Sequence, residues 1–315
     1  MRSRNGIVLM MTLGFIAVIT ALILWSVSIS KSRFDKVAAL DAENQFSIVF
    51  KDFTKLITQF DINSTDSLAL FLSMDLPPIS EEVTKIGLGF HPESLMDKLN
   101  INYIVASLVK HETNSTNAYH DSYLRRPLEK FFALYELSDS FTMIDFLLDT
   151  IDRDDLERAS YSEIATENFD FREGKIYDFN HFKKIQEYYY KSTHDENVFK
   201  ITKSEFEQFF YFGEPDERLL LDCNGLQIKN ALSLIVEDEM LISEEPVDCS
   251  DVNSSNNRNM KTLNEIYNIS QFANNQKYLI KCILNLDTED ALREISFDYE
   301  VSTKRISNID KNFQE

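Results

Sequence analysis

Five carboxylates crowd one nine-residue stretch of this chain: Asp149, Asp152, Asp154, Asp155 and Glu157. A hard cation such as calcium takes about six to eight oxygen ligands. A Ca2+ site is therefore one reading of the stretch, although the EF-hand spacing is absent. A solvated acidic helix end is the other. His91, His111, His120, His181 and His194 are scattered, and no H-E-x-x-H, C-x-x-C, G-x-S-x-G or P-loop pattern occurs. No two carboxylates have a spacing that marks acid–base catalysis. These residues point away from an enzyme.

Three cysteines give an odd count without metal-type spacing, so at most one internal disulfide can form. Cys223 and Cys282 fall on the apolar faces of expected strands, and Cys249 lies in the polar loop DCSD. Pairing of Cys249 with Cys223 and pairing with Cys282 both fit. Asn63, Asn114, Asn253 and Asn268 each open an N-x-[ST] triplet. The first three have an acid two residues earlier, in DINST, ETNST and DVNSS. That extended pattern is similar to the acceptor of bacterial oligosaccharyltransferases. All three lie in polar, loop-like stretches, as an acceptor must.

The net charge is −20, and the region after residue 33 is more acidic still. Such a surface excludes nucleic acid and anionic lipid as partners, and is compatible with cations or basic proteins.

The elements that carry these residues begin with an apolar helix. Asn5 to Ser30 holds no charge, with Arg2 and Arg4 before it and Lys31 and Arg33 after it. About 20 apolar residues at ~1.5 Å each match a hydrocarbon layer of ~30 Å. The flanking arginines favour a cytoplasmic N-terminus, which puts the remainder outside. A cleaved secretory signal would be shorter and would end in small residues, unlike WSVSISKSRF. A plain single-span anchor is a second reading. The third starts from the leader MRSRNG, which resembles the class III leader of type IV pilins and type II secretion pseudopilins. There a prepilin peptidase cuts after the glycine, here between Gly6 and Ile7.

No glycine or proline interrupts Ala17 to Ser73. Phe46, Val49, Phe50, Phe53, Ile57 and Phe60 recur at helical spacing, so the helix is expected to continue to about residue 60. Leu68–Leu72 reads as a short strand ended by Pro77-Pro78, and Val83–His91 as another, with Gly87 and Gly89 suggesting a bulge. From about 106 to 218 the periodicity is helical. Pro127 is suited to a helix start, and Thr202 with Glu205 fits a capping box. Two aromatic runs, Tyr188–Tyr190 and Phe209–Phe212, pack the helices together or form a contact surface. YLIKCILNL and EISFDYEV alternate and predict an antiparallel hairpin with a loop longer than two residues. The expectation is an α+β fold with an antiparallel sheet and an inserted all-helical subdomain.

That layout resembles general secretion pathway protein K, the largest minor pseudopilin of type II secretion. KLNINYI is similar to the family's Asn-Leu-Asn motif, which opens its helical insertion. FTMIDFLLDTIDRDD is similar to its Asp-Trp-Ile-Asp-x-Asp helix end, with Thr150 where tryptophan is usual. LLLDCNGLQIKNAL is similar to its Asn-x-Asn-Thr-Ala segment, keeping only Asn224. The family's Gly-Ala-Glu stretch is not recognisable in ERASYSEI.

The resemblance implies a pilin-like division. Residues 1–6 would be the leader and 7–60 the transmembrane and spine helix. The head would comprise 61–105 and 218–315, around an inserted helical subdomain at 106–217. It implies prepilin cleavage and methylation, a single-pass protein of the bacterial inner membrane and a periplasmic head. Its implied partners are other minor pseudopilins, the major pseudopilin, the prepilin peptidase and the inner-membrane secretion platform. The family is associated with calcium. It also lacks the glutamate of other pilins at the fifth mature position, which here is Met11, and that implies a place at the filament tip. A minor pilin of a type IV pilus and a membrane-anchored periplasmic binding module are the alternatives.

Overall fold

The computed structural model describes residues 47–80, 86–114, 118–216, 220–223, 225, 228–236, 258–273, 277–288 and 291–314. Gly6, Ile7, Met11, the expected membrane span, Asn224, Cys249 and Asn253 lie outside them. Among the described residues, no helix is long and apolar enough to cross a membrane. The chain divides into two compact units, Met1–Phe60 and Asp61–Glu315. In the first, helix α1 is described over 47–59, and its polar side carries a Lys55–Asp52 pair at 3.5 Å.

The second unit opens with α2 (Thr65–Leu72), β1 (Leu76–Ser80) and β2 (Ile86–Ser94). Next come β3 (Leu99–Asn100), α3 (Ile101–Asn114), α4 (Ala118–Leu134) and α5 (Ser140–Ile151). They are followed by α6 (Ile164–Glu167), α7 (Phe179–Thr193), a 3-10 turn (Glu196–Lys200), α8 (Lys203–Phe206) and β4 (Phe210–Tyr211). After β5 (Leu221–Asp222), α9 (Ile228–Ile235), α10 (Arg258–Tyr267) and β6 (Ile269–Ser270), the chain ends in β7 (Leu279–Thr288), β8 (Ala291–Glu300) and β9 (Arg305–Gln314). The fold is mixed helix and sheet, with one antiparallel five-stranded sheet ordered β1-β2-β7-β8-β9.

The alternation read from sequence sets the sheet's inner face. Tyr278, Ile280, Cys282, Leu284, Ile295, Phe297 and Tyr299 are all buried, as a strand's period of two requires. The hairpin is tighter than expected: Thr288 pairs with Ala291, so only two residues join the strands. Strand β9 was not expected from sequence at all. Leu68–Leu72 is a helix rather than a strand. Ser64 accepts the Ser67 N–H at 3.2 Å and Ser67 Oγ accepts the Ser64 N–H at 3.0 Å, which starts a helix. Its buried Leu68 and Phe71, three residues apart, then face the sheet, where Phe71 meets Phe90 (6.1 Å) and Tyr299 (6.2 Å). Pro77 and Pro78 do not end a strand but sit in β1. It is an edge strand with an irregular register, where a missing N–H costs little. Strand β2 runs in unbroken register with β7, and the irregularity suggested by Gly87 and Gly89 lies on its other side, where the β1 register shifts opposite Gly89.

Pro127 lies inside α4, not at its start. Proline removes the helical bond to the carbonyl four residues back. That carbonyl belongs to Tyr123, and the buried Tyr267 hydroxyl donates to it at 2.9 Å. Tertiary packing thus supplies the partner that the helix lost. The aromatic runs form core. Phe131 is surrounded by Phe206, Phe209 and Phe210 at 5.0–5.9 Å, and Tyr189 is fully buried. The Thr202–Glu205 capping box forms and begins α8.

The helices between β3 and β4 are held closed at their base by KLNINYI. Strands β3 and β4 pair in parallel, Leu99 with Phe210 and Asn100 with Tyr211. The buried Asn102 amide donates to the Ile176 and Gly213 carbonyls, each at 2.8 Å, and its Oδ1 accepts the Ile176 N–H at 2.8 Å. Asn100 Oδ1 accepts the N–H groups of Asn102 and Gly213, at 3.1 and 3.2 Å. A Cβ on Gly213 would stand 2.4 Å from the Asn100 amide nitrogen, so only glycine fits there.

Candidate functional site

Helix α5 delivers the acidic cluster. Asp139 caps it by accepting the Thr142 N–H at 3.0 Å, and its apolar residues from Met143 to Ile151 sink it into the core. Its last turn therefore carries Asp149 inward, to 1% exposure, and Asp152 follows at the C-cap. The chain then loops out and returns with Arg158, Ser162 and Glu163. The Arg158 guanidinium donates to Asp149 and, at 2.5 Å, to Asp152. Asp149 also accepts the Arg158 N–H at 2.9 Å and the Ser162 hydroxyl at 2.5 Å.

Of the five acids singled out in the sequence, the structure brings Asp149 and Asp152 together and leaves Asp154, Asp155 and Glu157 exposed. The third member is Glu163, with its ligand atom and theirs within 4.8 Å of one another. Glu163 belongs to ERASYSEI, the stretch with no recognisable motif. The missed signal is a lone acid directly before the apolar Ile164. Arg158 was missed too.

The electrostatics are unbalanced. Glu163 is 1% exposed, and among the described residues neither of its carboxylate oxygens has a hydrogen-bond partner; Asp152 Oδ1 has none there either. Burial, then the nearby charges of Asp149 and Asp152, push the Glu163 pKa up to about 8. Burial likewise raises Asp152, against the pull of Arg158. Burial works against the Arg158 charge, but the two aspartates outweigh it and raise its pKa. Three buried, unpartnered carboxylate oxygens in one cluster form an all-oxygen donor set that fits a hard divalent cation.

A pH dependence follows in the presence of EDTA. The folded pKa of Glu163 lies above its unfolded value, so the folded state keeps a proton that the unfolded state has released. The contribution is fully present below ~4.3 and is lost as pH rises through about 8. Glu163→Gln is expected to flatten the fall in melting temperature between pH 5 and pH 8. An unchanged slope in the variant would assign the dependence to other groups.

The histidines have structural places. His181 is buried, stacks on Phe171 at 4.3 Å, and is pushed down to about 4 by burial, so it is neutral. His194 ends α7 in the left-handed region, and His91 lies between Asp75 and Glu93 at 3.3 and 3.2 Å. The side chain of His120 lies outside the described residues, and His111 is half-buried in α3. Cys223 is disulfide-bonded, and Cys282 is a buried free thiol raised by burial. Asn63 is exposed ahead of α2, and Asn114 is the last residue of α3. A cleft of about 570 Å³ lies between the helices and the sheet, and beside it Lys281 of β7 reaches Glu207 at 2.9 Å.

No protein-family profile and no curated protein matches the chain. Among solved structures it is similar to a chain of the GspK–GspI–GspJ complex from the enterotoxigenic Escherichia coli type 2 secretion system. The likeness covers 87% of this chain and 98% of that one, with 12% identity and a TM-score of 0.48.

Proposed function

We propose that this chain is a minor pseudopilin of the general secretion pathway protein K type, acting at the tip of the type II secretion pseudopilus. The observation that carries the reading is one of continuity. A basic leader ending in Gly6 precedes an apolar stretch that, from Ala17 onward, runs without glycine or proline into α1, and an antiparallel sheet with an inserted helical subdomain follows. A plain anchor more often breaks after its span. The chain acts by assembly: the apolar helix packs among others, and the head meets neighbouring minor pseudopilins in the periplasm. The major pseudopilin, the prepilin peptidase and the inner-membrane secretion platform complete its partners. Met11 takes the fifth mature position. A carboxylate there would be buried among apolar helices and would need a free amino terminus beside it. A subunit with no neighbour above it to neutralise does not need that acid.

Two further assignments belong to this reading. Asp149, Asp152 and Glu163 hold a divalent cation, with calcium favoured by their oxygen ligands. Cys249 is the partner of Cys223.

The test of function is made on the protein purified from its own membrane. The mature chain is expected to begin at Ile7, and Gly6→Val is expected to leave the leader attached. A cysteine at Phe46 is expected to crosslink to a few pilin-like proteins without a ladder of self-crosslinked multimers. An intact Met1 would overturn processing, a long self-ladder would indicate a repeating pilus subunit, and no crosslink at all would favour an isolated binding module.

A further inference from the structure

The four N-x-[ST] triplets are not equivalent in the fold. Asn268 lacks the upstream acid: two residues before it stands the buried Ile266. Its backbone is committed to structure. At φ 48° it ends α10, its N–H donates to Asn264 at 2.9 Å, and its carbonyl accepts the Leu221 N–H at 3.2 Å. Ile269 and Ser270, which complete the triplet, are strand β6. This segment cannot leave the surface without breaking the β5–β6 pair.

Asn63 is the opposite case. It is exposed and lies outside helix and strand, four residues after α1. Among the described residues, Asp61, Ile62 and Asn63 make no backbone–backbone hydrogen bond. The acid of the motif is in contact with the acceptor: the Asn63 amide donates to the Asp61 carboxylate at 3.1 Å. Ser64 and Thr65 are exposed as well, so acid, amide and hydroxyl are all open to one external reader. The segment is held by the buried Ile62 and, at its far end, by the start of α2: the Asn63 and Ser64 N–H groups each donate to Ser67 Oγ at 3.0 Å, and Thr65 is the first residue of that helix. A sequon must be drawn into a transferase, and loops with few backbone bonds open at little cost.

We propose that Asn63 is the acceptor of an N-linked oligosaccharide, read through Asp61 and Thr65. The donor class is an oligosaccharide carried on a polyisoprenyl diphosphate. The Asn63 Nδ2 forms a bond to the anomeric carbon, the bond from that carbon to the diphosphate oxygen breaks, and the lipid diphosphate leaves with the electron pair. The amide nitrogen gives up one proton to a base of the transferase. Oxidation state does not change. The sugar would sit on an exposed loop at the start of the head. The proposal rests on export of that head.

The test is mass spectrometry of the full chain purified from its own membranes, with the oxidation state of Cys223 read on the same sample. The expected result is a glycan on the peptide containing Asn63 and none on the peptide containing Asn268. Asn63→Gln and Asp61→Ala are each expected to remove that one glycan. Both positions are exposed, so the variants are expected to fold. A bare Asn63 beside an oxidised Cys223 would overturn the proposal and leave export standing. A bare Asn63 beside a reduced Cys223 would overturn both. A glycan that survives Asp61→Ala would overturn recognition through the acid.

Discussion

Arg158→Ala is expected to lower the melting temperature by roughly 10 °C. The guanidinium holds Asp149, whose side chain is wholly buried, and Asp152, which is nearly so. Breaking a buried ion pair by removing one partner costs about 3–5 kcal/mol, because the other charge is left without compensation. In a unit of this size each kcal/mol shifts the melting temperature by about 2–4 °C. Here two aspartates lose their cation, with Glu163 already beside them. The physical cause can be separated from lost packing. Adding Asp149→Asn and Asp152→Asn to Arg158→Ala removes the uncompensated charge and is expected to recover part of the loss.

Arg158→Ala also frees carboxylate oxygens that the guanidinium now occupies, so millimolar calcium is expected to restore more stability to the variant than it adds to the native chain. A fall below about 1 kcal/mol in denaturant titration, the range of exposed ion pairs, would mean that Arg158 does not neutralise the cluster. Equal calcium responses in the two proteins would remove the cation from it.

Asn102→Ala is expected to be nearly as damaging, by about 3–5 kcal/mol. The side chain is fully buried and makes three hydrogen bonds at 2.8 Å. Alanine leaves the Ile176 N–H and the Ile176 and Gly213 carbonyls without those bonds, and each buried orphan costs about 1–3 kcal/mol. Because those partners close the base of the helices between β3 and β4, the loss should be local. Hydrogen exchange is expected to accelerate first around residues 176 and 213, while the β7–β8 ladder stays protected. Asn102→Asp should be worse still, since it sets a buried negative charge against two carbonyl oxygens. Uniform acceleration across the sheet would show that the clamp has no local role, and a loss below 1 kcal/mol would show that water replaces its bonds.

Local patterns carried far in this chain. Strict alternation at Tyr278–Leu284 and Ile295–Tyr299 determined which face of two strands is buried, because a strand's side chains alternate whatever it pairs with. Thr202 and Glu205 determined the start of α8 for an equally local reason: both bonds of a capping box lie within four residues. Serine in both roles hides the box at Ser64 and Ser67, so the sequence of α2 reads as a strand. Pro127 reads as a helix start because local chemistry forbids a helix interior there unless something distant takes the freed carbonyl of Tyr123, and Tyr267 does so from 144 residues away.

The candidate site divides in the same way. Asp149 and Asp152 were legible as a cluster because both ride one helix end. Their burial, the exclusion of Asp154, Asp155 and Glu157, and the arrival of Arg158 and Glu163 depend on how α5 packs and where the loop after it returns. A carboxylate looks the same in sequence whether solvated or buried. Only the tertiary structure decides the dielectric around Glu163 and the charges beside it, and so whether it is an ordinary surface acid or a group that holds its proton to about pH 8.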